Sequence, residues 1–168
     1  MSTGPRYKVP FRRRRTGQTN YRYRKKLLMG GKPRLVVRRS LKCVTIQIVT
    51  YQAEGDRVVA TANTRELKKF GWSGAKRNLP SAYLAGYMAA KRGLKEGYNE
   101  VVLDIGLRKP VPGSISFAAM KGAVDAGMNI PHGESIVPTD ERLSGVHMKE
   151  GTPEMFNKVK AAIEEAEL

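Results

Sequence analysis

The chain has 168 residues, 40% of them apolar, and carries 31 lysines and arginines against 15 aspartates and glutamates, a formal net charge of +16. That length suits one ordinary domain plus a tail, with enough apolar content for a core. A lone cysteine, Cys43, excludes a disulfide scaffold, and no run approaches the roughly 18 to 20 uncharged residues of a membrane span. The charge is segregated: the fifteen cations of residues 1–53 stand without one acid, whereas the other 115 residues hold sixteen cations and fifteen anions. A polyanion must therefore face this first third, and nucleic acid is the default because each neutralised phosphate releases condensed counterions. The basic N-terminus lacks the apolar block of a secretory signal, so a cytosolic protein is expected. Cys43, beside Val44 and Ile46, reads as a buried strand thiol; neither His132 nor His147 sits in a motif that would activate it.

Residues 1–33 mix arginine, glycine, proline and tyrosine with few aliphatics and are expected to be disordered until bound. Within them, residues 20–29 can form a short helix docking through Leu27 and Leu28, ended by Gly30, Gly31 and Pro33. Leu35 to Val37, then Val44, Ile46 and Ile48 alternating with Thr45 and Gln47, predict two strands joined by a turn at residues 40–42. Gly55-Asp56 marks the next turn and residues 57–62 a third strand, giving an antiparallel meander. A helix follows, capped by Asn78 with Pro80 in its first turn and running to Gly93 or Gly97; its small residues Ala82, Ala85, Gly86, Ala89 and Ala90 suit close approach to a sheet. Residues 101–105 (VVLDI) predict an apolar strand covered on both faces. The stiff loop at Pro110, Pro112 and Gly113 leads to a helix capped by Ser114 or Ser116 and stopped by Gly127, with Phe117, Met120 and Val124 at helical spacing. Residues 130–151 read as an irregular polar connection, and Thr152-Pro153-Glu154 opens a last helix with an apolar stripe of Phe156, Val159 and Ile163. The expected fold class is α/β with a mixed sheet flanked by helices: a basic extension at 1–33, a core at 34–130, and a C-terminal part at 131–168 packed on it.

Four consecutive arginines, Arg12, Arg13, Arg14 and Arg15, suit phosphate because the guanidinium fork donates two parallel hydrogen bonds, although localisation tags and nonspecific tails look the same. In Tyr21-Arg22-Tyr23-Arg24-Lys25-Lys26 aromatics alternate with cations, an arrangement that stacks on unpaired bases while gripping the backbone. The same tyrosines could dock the tail onto its own domain, and both roles are compatible. Arg38 and Arg39 meet Lys42 at one hairpin end, either as an RNA contact or as a solvated turn. The loop at residues 71–78 brings Trp72, Lys76, Arg77 and Asn78 to a helix N-terminus suited to phosphate; it lacks Walker spacing, and Trp72 is equally a core plug or a base platform. No cofactor or metal is expected: His132, Glu134 and His147 lack zinc spacing, and Asp104 has no second carboxylate nearby to share magnesium.

The segments RRRRTGQTNYRYRKKLL, PRLVVRRS, GWSGAKRNLPSAYLAGYMAAKRG and FAAMKGAVDAGMNIPHGE, in that order, resemble the ribosomal protein family that binds 5S ribosomal RNA, the eighteenth protein of the large subunit. The resemblance spans roughly residues 6–136 and is closest to the archaeal form. It implies a ribonuclease-H-like topology shared with other translational components, without that fold's nuclease residues. The implied role is architectural: holding 5S rRNA in the central protuberance of a cytoplasmic ribosome, beside a second 5S-binding protein, and touching the large rRNA. By resemblance the RNA contacts are the block from Arg12 to Lys26, Arg38 and Arg39, and the loop from Trp72 to Asn78. Residues 137–168 match less closely; with Glu164, Glu165 and Glu167 the C-terminal end is acidic and suits protein or solvent.

Two other classes compete. A basic DNA-binding protein would show a helix-turn-helix, zinc finger or basic zipper, and none is evident. An RNA-processing enzyme on a nuclease-like fold would depend on Asp104 and a divalent metal.

Overall fold

The computed structural model describes residues 4–166; Glu167, one of the acids assigned to the C-terminal end, lies outside them. Four strands form one sheet in the order β3-β2-β1-β4, with β1 Arg34–Arg39, β2 Val44–Thr50, β3 Arg57–Asn63 and β4 Val102–Asp104. The first three make the expected antiparallel meander; β4 pairs in parallel with β1, setting Val36 opposite Asp104, so the sheet is mixed. The apolar run predicted at 101–105 yields a strand of three residues, and because β4 pairs with β1 alone it lies at the edge of the sheet. Its Val102 and Leu103 are half-buried.

Alternation sorts the strands into two faces. Leu35, Val37, Val44, Ile46, Ile48 and Ala62 point into the core. Over them lies α3 (Leu79–Lys95), capped by a reciprocal box in which the Asn78 side chain accepts from the Ser81 amide and Ser81 Oγ accepts from the Asn78 amide. The helix runs past Gly93 and stops at Gly97, whose positive φ of 84° ends it. Every residue from Pro80 to Ala90 is buried, the mark of a helix enclosed on all sides. Its small residues do more than approach the sheet: they let α4 (Ile115–Asp125) press closely against the helix as well. A Cβ on Gly86 would stand 2.0 Å from the Ala119 carbonyl oxygen, and one on Gly122 2.1 Å from that of Tyr83. The two helices therefore touch backbone to backbone through a glycine from each.

The stretch expected to be irregular holds a 3₁₀ turn at Glu134–Ile136 and a short helix, α5 (Asp140–Ser144), whose Leu143 enters the core. A second 3₁₀ turn, Glu66–Phe70, buries Leu67, and its Glu66 is paired with Arg92 of α3 at 2.9 Å. The last helix, α6 (Thr152–Glu165), is capped by Gly151, one residue before the predicted cap; Thr152 instead donates its hydroxyl to the Lys149 carbonyl. Phe156, Val159 and Ile163 pack on the core, Tyr87 donates to Glu164, and Lys160 lies over the Tyr83 and Tyr87 rings. The apolar face of this helix is thus filled by its own domain.

Candidate nucleic-acid interface

The second face of the sheet carries charge. Arg34, 3% exposed, donates to Asp104 Oδ2 at 2.9 Å and to Asp56 Oδ2 at 2.6 Å. Arg38 donates to Asp104 Oδ1 at 3.0 Å and to the Asp104 carbonyl at 2.8 Å, and the Gly106 amide completes the carboxylate. Asp104 is thereby committed to two guanidiniums and an amide. Among the described residues no group of three histidine, cysteine, aspartate or glutamate side chains is placed to hold a metal ion. The geometry makes Asp104 a positioning residue: it fixes Arg38, whose side chain remains 48% exposed, with one edge held and the rest presented outward.

The N-terminal segment lies across this same face. Arg12–Arg15 form a single helical turn, α1, with all four arginines exposed and no acid in the turn; Arg13 Nε donates to Thr19 at 2.8 Å. Residues Tyr21–Met29 form the predicted helix, α2, started by the Asn20 side chain accepting from the Tyr23 amide. Helical spacing divides it. Tyr21, Arg24, Leu27 and Leu28 are half-buried toward the sheet, whereas Arg22, Lys25 and Lys26 are exposed on the other side. Arg24 grips Asp56 through two bonds of 2.8 Å, and this pair holds the Asp56 carboxyl below its usual range. Tyr21 packs against Phe11 at a tilt, 5.2 Å between ring centroids, so it docks the tail onto itself; Tyr23 stays 37% exposed, and burial beside the Asp104 charge raises its phenol.

At the hairpin end the arginines converge without acids. Arg77 reaches the Leu41 carbonyl at 3.3 Å and Arg108 the Arg39 carbonyl at 3.4 Å. Arg39 Nε is buried with no hydrogen-bond partner, and burial, followed by the charges of Arg108 and Arg77, pushes its guanidinium below the ordinary value. Three guanidiniums drawn together with no carboxylate have the donor geometry that suits an anion with several acceptor oxygens. Lys42 is exposed at the same turn, and Lys76 is half-buried beside Arg77.

Two of the predicted contacts are used inside the fold. Trp72 is 2% exposed, its indole N–H donates to the Ala75 carbonyl, and Gly74 lies so close to the ring that a Cβ there would stand 2.9 Å away. It plugs the core and leaves no face for a base. Asn78 is occupied on both sides, capping α3 and donating to Met148 Sδ at 3.7 Å. The loop at 71–77 is further fixed by a bond from the Ser73 amide to Met155 Sδ of α6, so the C-terminal part braces Lys76 and Arg77. Cys43 is buried as expected, but in the turn before β2, where bonding to Ser40 lowers its thiol.

Between the tail and the sheet runs a cleft of about 1220 Å³ bordered by Arg13, Tyr23, Arg38, Arg39 and Arg108. The tail cations and the hairpin cations, apart in sequence, thus share one surface. Sequence reasoning missed Arg108, although a Gly-Leu-Arg-Lys turn directly after a strand was a usable signal. It also missed Arg34 and Asp56, whose roles depend on pairing across the sheet and have no local signature.

The chain matches the protein family described as ribosomal large subunit proteins 60S L5 and 50S L18 over residues 5–100 and 95–133. A large ribosomal subunit protein uL18 from Thermofilum pendens is 49% identical over 163 residues, covering 93% of this chain and 83% of that protein. One from Methanospirillum hungatei is 49% identical over 163 residues, covering 97% of this chain and 93% of its own length.

Proposed function

The chain belongs to the uL18 family of large-subunit ribosomal proteins, archaeal in type, and from that premise we propose that it binds 5S rRNA and helps attach it to the large rRNA in the central protuberance, beside other large-subunit proteins that include a second 5S-binding protein. As a ribosomal protein of this family it is a structural constituent of the large subunit and not an enzyme. The observation that carries the RNA reading is the gathering on one face of cations that no carboxylate of the described residues pairs. Arg39, Arg77 and Arg108 cluster at the hairpin end, α1 and the outer side of α2 add seven more, and the N-terminal third has no acid of its own.

In this reading the rigid parts set register. Arg38, held by Asp104, and the arginine cluster, braced by the loop at 71–77, meet phosphates at fixed spacing on folded RNA. Arg12–Arg15, Arg22, Lys25 and Lys26 then clamp neighbouring backbone. Ordering a segment costs about 1 to 2 kcal/mol per residue, so the helix already formed at α2 and its Arg24–Asp56 tether reduce what phosphate contacts must offset. Specificity comes from shape and unpaired bases, since the deep major groove of A-form RNA is closed to side chains.

Binding is tested with the full chain and a chain lacking residues 1–33 on 5S rRNA, a scrambled RNA of equal length and duplex DNA across a salt series. Neutralising about six to ten phosphates makes affinity fall roughly a thousandfold or more between 50 and 200 mM salt. Preference for 5S rRNA that survives moderate salt, with a flatter salt slope for the truncated chain, supports the proposal; equal binding to all three sinks it.

A further inference from the structure

We infer that Met155, together with Met148, is a site of reversible oxidation by peroxide, and that the sulfoxide unlatches the loop at 71–78 from the C-terminal part of the chain; this goes beyond the rRNA reading and does not rest on it. Among the described residues, every hydrogen bond that joins this loop to residues 131–166 ends on sulfur. Ser73 donates to Met155 Sδ twice, from its amide at 3.3 Å and from its hydroxyl at 3.5 Å. Asn78 donates its side-chain amide to Met148 Sδ at 3.7 Å. No ion pair among the described residues reinforces this seam. The far end of α6 is held differently, by oxygen acceptors: Tyr87 donates to Glu164, and Lys91 to the Ile163 carbonyl. Thioethers are thus the polar fastening at one end of the C-terminal part only.

Access and space decide the outcome. Met148 and Met155 are half-buried, so a small oxidant reaches them, whereas Met88, Met120 and Met128 are buried. The thioether sulfur gives an electron pair to one oxygen of hydrogen peroxide, the O–O bond breaks, and that oxygen stays on sulfur as the sulfoxide. Its proton passes to the departing hydroxide, which leaves as water; sulfur loses two electrons and the peroxide gains them. The new oxygen finds no room. Met155 packs against the hydrophobic core, and its sulfur is already in contact with Ser73. Met148 Sδ stands against Gly145, where an added Cβ would lie 3.4 Å from it. A polar oxygen on either sulfur therefore displaces the donor it faces and pushes the loop outward. That loop brings Lys76 and Arg77 to the arginine cluster, Arg77 through its bond to the Leu41 carbonyl, so oxidation loosens one end of the cationic surface.

The test treats the folded full chain with dilute hydrogen peroxide, maps sulfoxides by peptide mass spectrometry and follows exchange of the Ser73 amide by NMR. Exposed Met29 should oxidise first, Met155 and Met148 next, and the three core methionines last. As Met155 converts, Ser73 exchange should quicken about five- to thirtyfold, the range that losing one or two hydrogen bonds allows. Reduction by methionine sulfoxide reductases should restore the slow rate. Met155→Leu conserves volume and removes the acceptor, so its Ser73 amide should exchange fast from the start; with Met148→Leu added, peroxide should change nothing further. Met29→Leu should respond as wild type does. Met155 oxidising no sooner than the core methionines, or converting without faster Ser73 exchange, overturns the inference. So do fast exchange that persists after reduction, a Met155→Leu chain as slow as wild type, and a double variant that still responds to peroxide. None of these readouts involves RNA, so failure here is distinct from failure of the rRNA reading.

Discussion

Replacing Asp104 by asparagine removes a charge and keeps the volume, which isolates what the carboxylate does for the second face of the sheet. In the native chain its two oxygens accept from Arg34, Arg38 and the Gly106 amide. The Arg34 and Asp104 side chains are 4% and 6% exposed, so water cannot take over. The variant leaves Arg34 with Asp56 alone, a partner that is 26% exposed and already shared with Arg24. Removing one partner of a buried pair costs about 3 to 5 kcal/mol, and the surviving Asp56 bond places this case near the lower end, roughly 3 kcal/mol. For a chain of this length that corresponds to a midpoint lowered by roughly 6 to 12 °C. Thermal melts of Asp104→Asn followed by circular dichroism measure it directly. The double variant Arg34→Met with Asp104→Leu should recover most of the loss, because apolar replacement of a whole buried pair is often neutral or better. A single variant that melts within about 2 °C of wild type, well short of that shift, or a double variant no better than the single, would refute the claim that the pair is buried and mutually dependent.

Gly86→Ala should be among the most damaging small substitutions. The added Cβ meets the Ala119 backbone 2.0 Å away, which no rotamer change relieves, and overpacking of this kind costs about 3 kcal/mol or more by chemical denaturation. At alkaline pH the α3–α6 seam should loosen. Burial first, then bonding to Glu164, pushes the Tyr87 phenol up to about 12, and burial beside Asp125 raises Tyr83 further. A group held protonated in the fold stabilises it fully below the unfolded value near 10, and that contribution disappears as pH rises through the folded value. Melting temperature should therefore decline from about pH 10 upward, and less steeply in Tyr87→Phe; identical profiles for the two proteins would contradict this. Cys43, lowered by Ser40 yet 6% exposed, should resist alkylation in the native chain and react promptly once denatured, as mass spectrometry would show.

Features written in neighbouring residues are legible along the chain itself. Alternation of Val44, Ile46 and Ile48 marks a strand, Asn20 and Asn78 mark helix starts, Gly97 and Gly127 mark stops, and the acid-free N-terminal third points to a polyanion. Each rests on a force that acts within a turn or two of chain, or on summed charge, which needs no fold. The edge position of β4 and the short helix α5 are not legible in this way, because an apolar run does not say how many neighbours it will have and Leu143 acquires its importance only by burial.

The residues that build the candidate site are selected by tertiary contacts. Arg34 finds Asp56 and Asp104 at separations of 22 and 70 positions, and Arg108 meets Arg39 across 69. Whether Trp72 plugs a core or faces a base depends on Gly74 and Ala75 folding over it against the rest of the domain. Sequence alone dictates a concentrated positive charge on an α/β framework. Which of those charges are neutralised internally, and which are left to face an outside anion, is settled by which strands lie side by side, since electrostatic pairing acts over a few ångströms of space and is indifferent to distance along the chain.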